Sequence, residues 1–255
     1  MKLFFNALIK FICGVVLVGL LLFWPAGTFE FVNAWIFIGA FFIPMFFVMI
    51  YLAVKKPELL EKRIKAKEKE NVQKTVVGLT ALIFITAFII AGLDFKYDWS
   101  KLPMVVTYIS TGVLFIAYGL YVEVLRENEY LSRNVEVQEN QKVVDTGLYG
   151  VVRHPMYLAT IFLYLSIPFI LGSIYSFIIF LPFVLLIITR IKNEEKVLEE
   201  GLEGYIEYKK KVKYRLIPFI WKKKCYDKNE VIKIGVVFWK NRDYFYFVCL
   251  TLHNG

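Results

Sequence analysis

An uninterrupted apolar run, FVNAWIFIGAFFIPMFFVMIYLAV, occupies residues 31–54 and contains no charged residue. About 20 apolar residues are enough for an α-helix to cross the hydrocarbon core of a bilayer. The run therefore predicts a membrane-spanning helix. The whole chain is 58% hydrophobic and has a mean hydropathy of +0.56, which is far more apolar than an ordinary globular protein. These values exclude a water-soluble domain.

Similar apolar runs recur on both sides of this one and predict an all-α, polytopic helical membrane protein with about six transmembrane helices. The predicted spans cover residues 4–24, 31–54, 75–93, 104–125, 156–171 and 174–189. The last two are short, since about 16 residues make about 24 Å of helix against a hydrocarbon core of about 30 Å. We interpret this pair either as a thin-spanning hairpin or as a re-entrant one, joined by a tight turn at Gly172 and Ser173.

Basic residues alternate between the connecting segments and predict the orientation in the membrane. The chain has 31 Lys+Arg against 22 Asp+Glu, a formal net charge of +9. Lysine and arginine concentrate in residues 55–74 and 126–153 and after residue 189, whereas residues 25–30 contain none. By the positive-inside rule, both termini and the two long polar loops face the cytoplasm. The same charges favour anionic membrane lipids as partners over nucleic acid.

The composition of the segments divides the chain into three predicted parts. Residues 1–125 form an N-terminal transmembrane bundle, and residues 126–224 form a core of loop, helical hairpin and amphipathic C-terminal segment. Residues 225–255 form a tail whose runs VIKIGVVFW and YFYFVCLTL indicate a strand pair or a packed appendage. Three scattered cysteines and two histidines exclude a disulfide framework and a multi-histidine metal site. No glycine-rich nucleotide motif is present, so a nucleotide-type cofactor would be held without a Rossmann domain.

The first candidate site is the stretch GLYGVVRHPMY at residues 147–157. Proline is favoured at the first helical position, so Pro155 predicts a helix start with His154 at its cap and Tyr157 about one turn later. An imidazole, a phenol and free backbone N–H groups would then meet at a positive helix end, which suits an anionic or adenine-bearing ligand. The alternative is that His154 merely caps the helix and Tyr157 belongs to an interfacial aromatic belt.

The second candidate site is the stretch RIKNEE at residues 190–195. Arg190 and Glu194 are four residues apart and share a helix face, so they either form an ion pair or present both charges to a ligand. An arginine at the edge of the hydrocarbon is costly unless it has a partner. The aromatic and lysine-rich residues 202–218 that follow predict an amphipathic segment at the membrane interface.

Together these motifs resemble the isoprenylcysteine carboxyl methyltransferases and the related phospholipid N-methyltransferases, which are integral-membrane enzymes. The shared elements are Gln138, residues 142–144, residues 147–149, RHPMY at 153–157, RIKNEE at 190–195, GYIEY at 204–208 and RLIP at 215–218. The resemblance covers residues 134–221, about a third of the chain. An RHPxY string also occurs in membrane sterol reductases that use NADPH, and the two acids followed by GYIEY make the pattern more specific. The first 125 residues contain no motif of this pattern, although the stretches WPAGTF and KKPELLEKR resemble stretches of bacterial members of unknown substrate.

The resemblance implies S-adenosylmethionine as methyl donor and a lipophilic or lipid-anchored acceptor that enters from the bilayer. The implied cofactor-binding residues are Gln138, Lys142, Val143, Val144, Tyr149, His154, Pro155, Tyr157, Glu194 and Tyr205. The implied catalytic residues are Arg190, which would orient an acceptor carboxylate, and Glu195, which with Glu194 is a candidate base for an amine acceptor.

No metal is implied by the resemblance. The favoured activity is isoprenylcysteine-like O-methylation of a carboxylate. The alternatives are phospholipid N-methylation, an NADPH-dependent membrane reductase, and a non-catalytic membrane bundle.

Overall fold

The computed structural model describes residues 2–65, 71–131 and 137–217. The predicted strand pair of the tail and the end of the RLIP motif lie outside these residues. Within them the chain forms eight α-helices, one 3₁₀ turn and no strand, which confirms the all-α class. The three-part division of the chain stays a prediction.

The helices follow one another with short connections at most positions. Their bounds are α1 Lys2–Ala26, α2 Val32–Lys55, α3 Pro57–Lys65, α4 Asn71–Tyr97, α5 Met104–Glu127, α6 Pro155–Ile170, α7 Ile174–Gly201 and α8 Tyr205–Lys211, with the 3₁₀ turn at Gly147–Gly150. Five of them, α1, α2, α4, α5 and α7, are long and apolar enough to cross a membrane. The protein is therefore an integral membrane protein. The fifth predicted span, residues 156–171, corresponds to α6, a shorter apolar helix of 16 residues.

The last long helix corrects one prediction from the sequence. We expected an apolar span of residues 174–189, as short as its partner, with Arg190 and Glu194 on a helix face at its end; α7 has 28 residues and continues through both to Gly201. Residues 190–200 are mostly lysine, glutamate, leucine and other good helix formers, so the helix continues after its apolar part has ended. Loss of apolar character marks the end of a membrane segment and not the end of a helix.

Small residues let the long helices approach one another in the core. A Cβ added to Gly92 of α4 would lie 2.5 Å from the carbonyl oxygen of Leu22 in α1, so this crossing needs glycine. Ala91 and Ala117 are fully buried in the same cluster, together with Phe37. The core thereby fixes α4, α5 and α6, the helices that carry much of the candidate site.

Hydrogen bonds around Asp94 hold the connecting segments together at the C-terminal end of α4. The buried carboxylate of Asp94 accepts hydrogen bonds from the backbone N–H and the hydroxyl of Ser100, both at 2.7 Å, and from the hydroxyl of Ser173. Ser173 also caps α7 by accepting from the N–H of Ser176. These bonds tie the α4–α5 loop to the α6–α7 turn.

Candidate functional site

A cavity of about 900 Å³ lies between α4, α6, α7 and α8, the end of α5 and the loop that precedes α6. It brings together nine of the twelve residues implied by the resemblance. These are Lys142, Val143, Val144, Tyr149, His154, Tyr157, Arg190, Glu194 and Tyr205. The stretches 142–157 and 190–205, separate in the sequence, therefore face one space.

Pro155 begins α6 as the sequence predicts, and His154 occupies the cap position. The His154 side chain makes no capping hydrogen bond. Its Nε2 atom lies 3.4 Å from Oε1 of Glu195, and its ring centroid lies 5.8 Å from that of Tyr157. The backbone N–H of His154 donates to the carbonyl of Arg215 at 2.9 Å. The imidazole is thus held against α7 and borders the cavity.

Tyr157 connects the two charged residues of the second motif. Its hydroxyl donates a hydrogen bond to the carboxylate of Glu194 and accepts one from Nε of Arg190 at 3.0 Å. All three side chains line the cavity. The arrangement places a cation and an anion on one helix face with a phenol from α6 between them, and a ligand in the cavity can contact both charges.

Glu195 lies behind the cavity wall, where its side chain is almost completely buried. One carboxylate oxygen accepts from Nε of Arg153 at 2.9 Å. The other accepts from two nitrogens of Arg215, at 2.9 and 2.6 Å. Because both oxygens are held by guanidinium groups, this carboxylate is poorly placed to receive a proton from an acceptor. It joins α7 to the start of α6 and to the segment after α8.

The short helix α8 closes the side of the cavity next to the 3₁₀ turn. Gly204 precedes it with φ of 79°, a left-handed conformation that favours glycine. The hydroxyl of Tyr208 donates to the carbonyl of Tyr149 at 2.8 Å, and Asn128 donates to the hydroxyl of Tyr149 at 3.0 Å. Burial raises the pKa of the Tyr149 and Tyr208 hydroxyls above their ordinary value, so both remain neutral donors.

Tyr205 presents a polar atom that the described residues do not satisfy. Its hydroxyl is buried and makes no hydrogen bond within the described part of the chain, and its ring lines the cavity. Burial raises the pKa of this hydroxyl, so it is a neutral donor and acceptor. A buried, unpaired hydroxyl is costly, which favours a polar group of a ligand at this position.

Gln138 supports the loop that forms another wall of the cavity. Its side-chain amide donates to the carbonyl of Tyr130, and its backbone N–H donates to the side chain of Gln141 at 2.8 Å. Tyr130 and Gln141 line the cavity. In this structure Gln138 therefore shapes the loop from behind.

The cavity also contains residues that sequence reasoning did not select. Arg63 of α3 and Lys74 of α4 line it, and so do Asn128 and apolar side chains of α4. Arg63 and Lys74 contributed to the prediction only as part of the basic loop between two spans. Their place in the cavity depends on how α3 and α4 pack, for which the sequence has no motif.

The described residues thus form a helical membrane protein with a cavity in which charged groups lie beside an apolar wall. Residues 104–203, from the start of α5 to the end of α7, match the family described as phospholipid methyltransferase. The match confirms the resemblance found in the motifs for this part of the chain, which is less than half of its length. The match covers α6 and the RIKNEE motif and ends just before GYIEY. No curated protein matches the chain.

Proposed function

We propose that the protein transfers a methyl group from S-adenosylmethionine to a lipophilic acceptor. One observation supports this most directly: Tyr157, Arg190 and Glu194 lie in the same cavity as the apolar side chains of Phe84 and Phe183. A polar cofactor and an acceptor with a hydrocarbon chain can thus meet in one space. The match to a methyltransferase family favours this activity over an NADPH-dependent reductase and over a non-catalytic bundle.

The residues around the polar end fit the chemical groups of this cofactor. S-adenosylmethionine supplies the methyl group as an electrophilic sulfonium. Glu194 can bind its ammonium or ribose hydroxyls, Lys142 can bind its carboxylate, and the unpaired hydroxyl of Tyr205 can satisfy a further polar atom. Tyr149 and Tyr157 offer rings against which adenine can pack.

Arg190 is proposed to orient the acceptor, and Glu195 to position the site. A carboxylate acceptor is already ionised at neutral pH, so its methylation needs in-line placement and no base. Arg190 lines the cavity, and its guanidinium can form charge-assisted hydrogen bonds with such a carboxylate. Glu195, implied as catalytic by the resemblance, is proposed instead to hold Arg153 and Arg215, because both of its oxygens contact their guanidinium groups. These features favour O-methylation of a carboxylate.

Phospholipid N-methylation is the second candidate, favoured by the description of the matched family. An amine acceptor must lose a proton, and among the described residues that line the cavity Glu194 is the sole carboxylate. In this reaction Glu194 would therefore be the base.

Titration calorimetry of the detergent-purified protein with S-adenosylmethionine and with NADPH tests the proposal. We expect binding of the first and none of the second. Incubation with methyl-labelled S-adenosylmethionine and extracted membrane lipids should then label a lipid. Release of the label as methanol in mild alkali identifies an ester, whereas an alkali-stable label identifies an N-methyl group. Binding of NADPH without binding of S-adenosylmethionine would contradict the proposal.

A further inference from the structure

The cavity has an excess of positive charge among its described lining residues. Among the residues that the structure describes, five cations line it, namely Arg63, Lys74, Lys142, Arg153 and Arg190, against one carboxylate, that of Glu194. Arg153 contacts Glu195, and Arg190 is linked to Glu194 through Tyr157. The proposed function assigns Lys142 to the cofactor. Arg63 and Lys74 therefore add positive charge for which neither the cofactor nor the matched family segment accounts.

The helix that carries Arg63 is fixed to the bundle by several contacts. Leu59 and Leu60 of α3 are buried in the core cluster at this end of the bundle. The Nζ atom of Lys10 in α1 donates to the carbonyl of Ile64 at 2.9 Å. α3 is therefore held in place, and Arg63 extends from a fixed backbone.

The guanidinium of Arg63 is itself oriented by Tyr121 and Leu131. It donates to the hydroxyl of Tyr121 and, at 3.4 Å, to the carbonyl of Leu131, and its central carbon lies 5.6 Å from the centroid of the Tyr121 ring. Arginine has five N–H donors in one plane, and a fixed plane recognises phosphate or carboxylate oxygens well. Arg63 is thus prepared for an anionic group.

An apolar path leads away from Lys74 along α4. Gly78, Ala81 and Phe84 follow at intervals of four, three and three residues, and all of them line the cavity. The path from Lys74 to Phe84 is about 15 Å long, since each helical residue advances about 1.5 Å. A Cβ added to Gly78 would meet nothing within 4 Å, so this part of the path is open.

Aromatic side chains close the far end of this path. The ring of Phe84 lies 4.7 Å from that of Tyr164, 4.9 Å from that of Phe180 and 6.3 Å from that of Phe183, measured between centroids. Ile187 lies one turn before the polar residues of α7 and adds to the apolar wall. The path thus has a charged residue, Lys74, at one end and a cluster of aromatic rings around Phe84 at the other.

We propose that Arg63 and Lys74 bind an anionic group of the acceptor lipid other than the group that Arg190 orients, and that the hydrocarbon chain of this lipid lies along Gly78 and Ala81 toward Phe84. This inference rests on the proposed function and deepens it, because it makes the acceptor an anionic lipid. A phosphate and a carboxylate share the required chemistry. The two residues belong to α3 and α4, so the N-terminal half of the chain determines which lipid is accepted.

Binding of three amphiphiles with the same chain tests the charge requirement. Dodecyl phosphate, dodecanoate and dodecyltrimethylammonium are titrated into the detergent-purified protein without cofactor. We expect one or both anions to bind at least tenfold more tightly than the cation. Preference for the phosphate over the carboxylate indicates a phospholipid, and the reverse preference indicates a lipid with a carboxylate besides its methylated group. Equal affinity for the anions and the cation overturns the proposal.

Matched variants locate the anionic group. Arg63→Gln and Lys74→Gln should each weaken binding of the preferred anion at least fivefold, whereas Arg63→Lys should keep part of it. Arg126→Gln and Lys196→Gln remove the same charges from exposed residues outside the cavity lining and should change little. Lys74 is exposed, so its variant is expected to fold even if the Arg63 variants do not. If Arg63→Gln and Lys74→Gln weaken anion binding no more than the two control variants do, the assignment of the anionic group to Arg63 and Lys74 is overturned.

A second pair of variants locates the chain. Gly78→Leu should fill the open part of the path and weaken binding of the dodecyl anion at least fivefold. Gly112→Leu is the control, because a Cβ on Gly112 also meets nothing within 4 Å and this residue does not line the cavity. An equal loss of anion affinity in Gly78→Leu and Gly112→Leu would contradict placement of the hydrocarbon chain along Gly78. Binding of S-adenosylmethionine is measured in each variant: its absence from the wild type refutes the proposed function, and its presence without anion preference refutes this inference alone.

Discussion

Nε of Arg190 donates a hydrogen bond to the hydroxyl of Tyr157 at 3.0 Å. The same hydroxyl donates to the carboxylate of Glu194. The phenol therefore orders a cation and an anion that a single helix presents to the cavity. A hydrogen bond to a charged group contributes about 1.5 to 3 kcal/mol, so loss of this hydroxyl should be measurable.

Removing this hydroxyl tests its role. Tyr157→Phe keeps the ring and its packing but releases Arg190 and Glu194 from their common partner. We expect S-adenosylmethionine to bind about tenfold more weakly, equivalent to about 1.4 kcal/mol. Calorimetry on the folded variant measures this.

Tyr108→Phe is the control for Tyr157→Phe, since Tyr108 is an exposed residue of α5 that does not line the cavity. Unchanged cofactor affinity in Tyr157→Phe would show that Arg190 and Glu194 do not need the phenol. Tyr157 would then be an interfacial aromatic residue with no part in cofactor binding.

Glu195 should matter for stability more than for chemistry. Glu195→Gln removes the negative charge that faces Arg153 and Arg215 in a buried environment. Breaking a buried ion pair by removing one partner costs about 3 to 5 kcal/mol. We expect a large fall in melting temperature in detergent, whereas the exposed control Glu200→Gln should melt like the wild type. A stable Glu195→Gln protein that binds cofactor but lacks turnover would instead support Glu195 as a base.

Much of this fold follows from local sequence, because an apolar run of sufficient length has to be helical in a bilayer. The start of α6 was predicted correctly for a similar reason, since Pro155 is pre-set for the first helical position. The full length of α7 was not predicted, because apolar character stops near residue 189 while helix propensity continues to Gly201. The pattern of apolar residues indicates which side chains are buried and which face solvent. It carries little information about where a charged helix ends.

The candidate site shows the same division between local and tertiary information. RHPMY and RIKNEE mark residues whose backbone positions are set locally, and the cavity includes most of them. Arg63 enters the cavity because Leu59 and Leu60 anchor α3 against the bundle. Glu195 does not line the cavity because its carboxylate binds Arg215. The backbone of Arg215 in turn contacts His154 at the start of α6. Contacts between separate segments decided both placements.

Gly147 fixes the turn that presents Tyr149. Its φ is 50°, and a Cβ there would overlap the carboxylate of Glu127, one oxygen of which accepts from the N–H of Leu148 at 3.0 Å. Gly147→Ala therefore combines left-handed strain of about 1 kcal/mol with a steric conflict.

We expect Gly147→Ala to lower the melting temperature and to weaken cofactor binding severalfold. Gly119→Ala, with nothing within 4 Å of the added carbon, should do neither. Normal binding in Gly147→Ala would show that Glu127 moves aside without disturbing Tyr149.

The orientation predicted from the basic loops can be tested by labelling. Single cysteines are introduced at Lys142 and Lys101 in a background without the three native cysteines. A membrane-impermeant maleimide should label position 101 in sealed cells and label position 142 only after the cells are opened. Labelling of position 142 from outside would reverse the orientation and place the cavity on the other face of the membrane.

Arg190 gives the sharpest separation between a structural and a catalytic role. If it only balances Glu194, Arg190→Gln should lower the melting temperature, and the double variant with Glu194→Gln should recover much of the loss. If it orients the acceptor, Arg190→Gln should reduce turnover by about a hundredfold or more while cofactor affinity stays within a few fold. Glu194→Gln should instead weaken cofactor binding. We expect the second pattern, because both side chains line the cavity. Binding, turnover and melting of the two single variants and the double variant decide between the roles, and recovery of both stability and turnover in the double variant would refute the catalytic one.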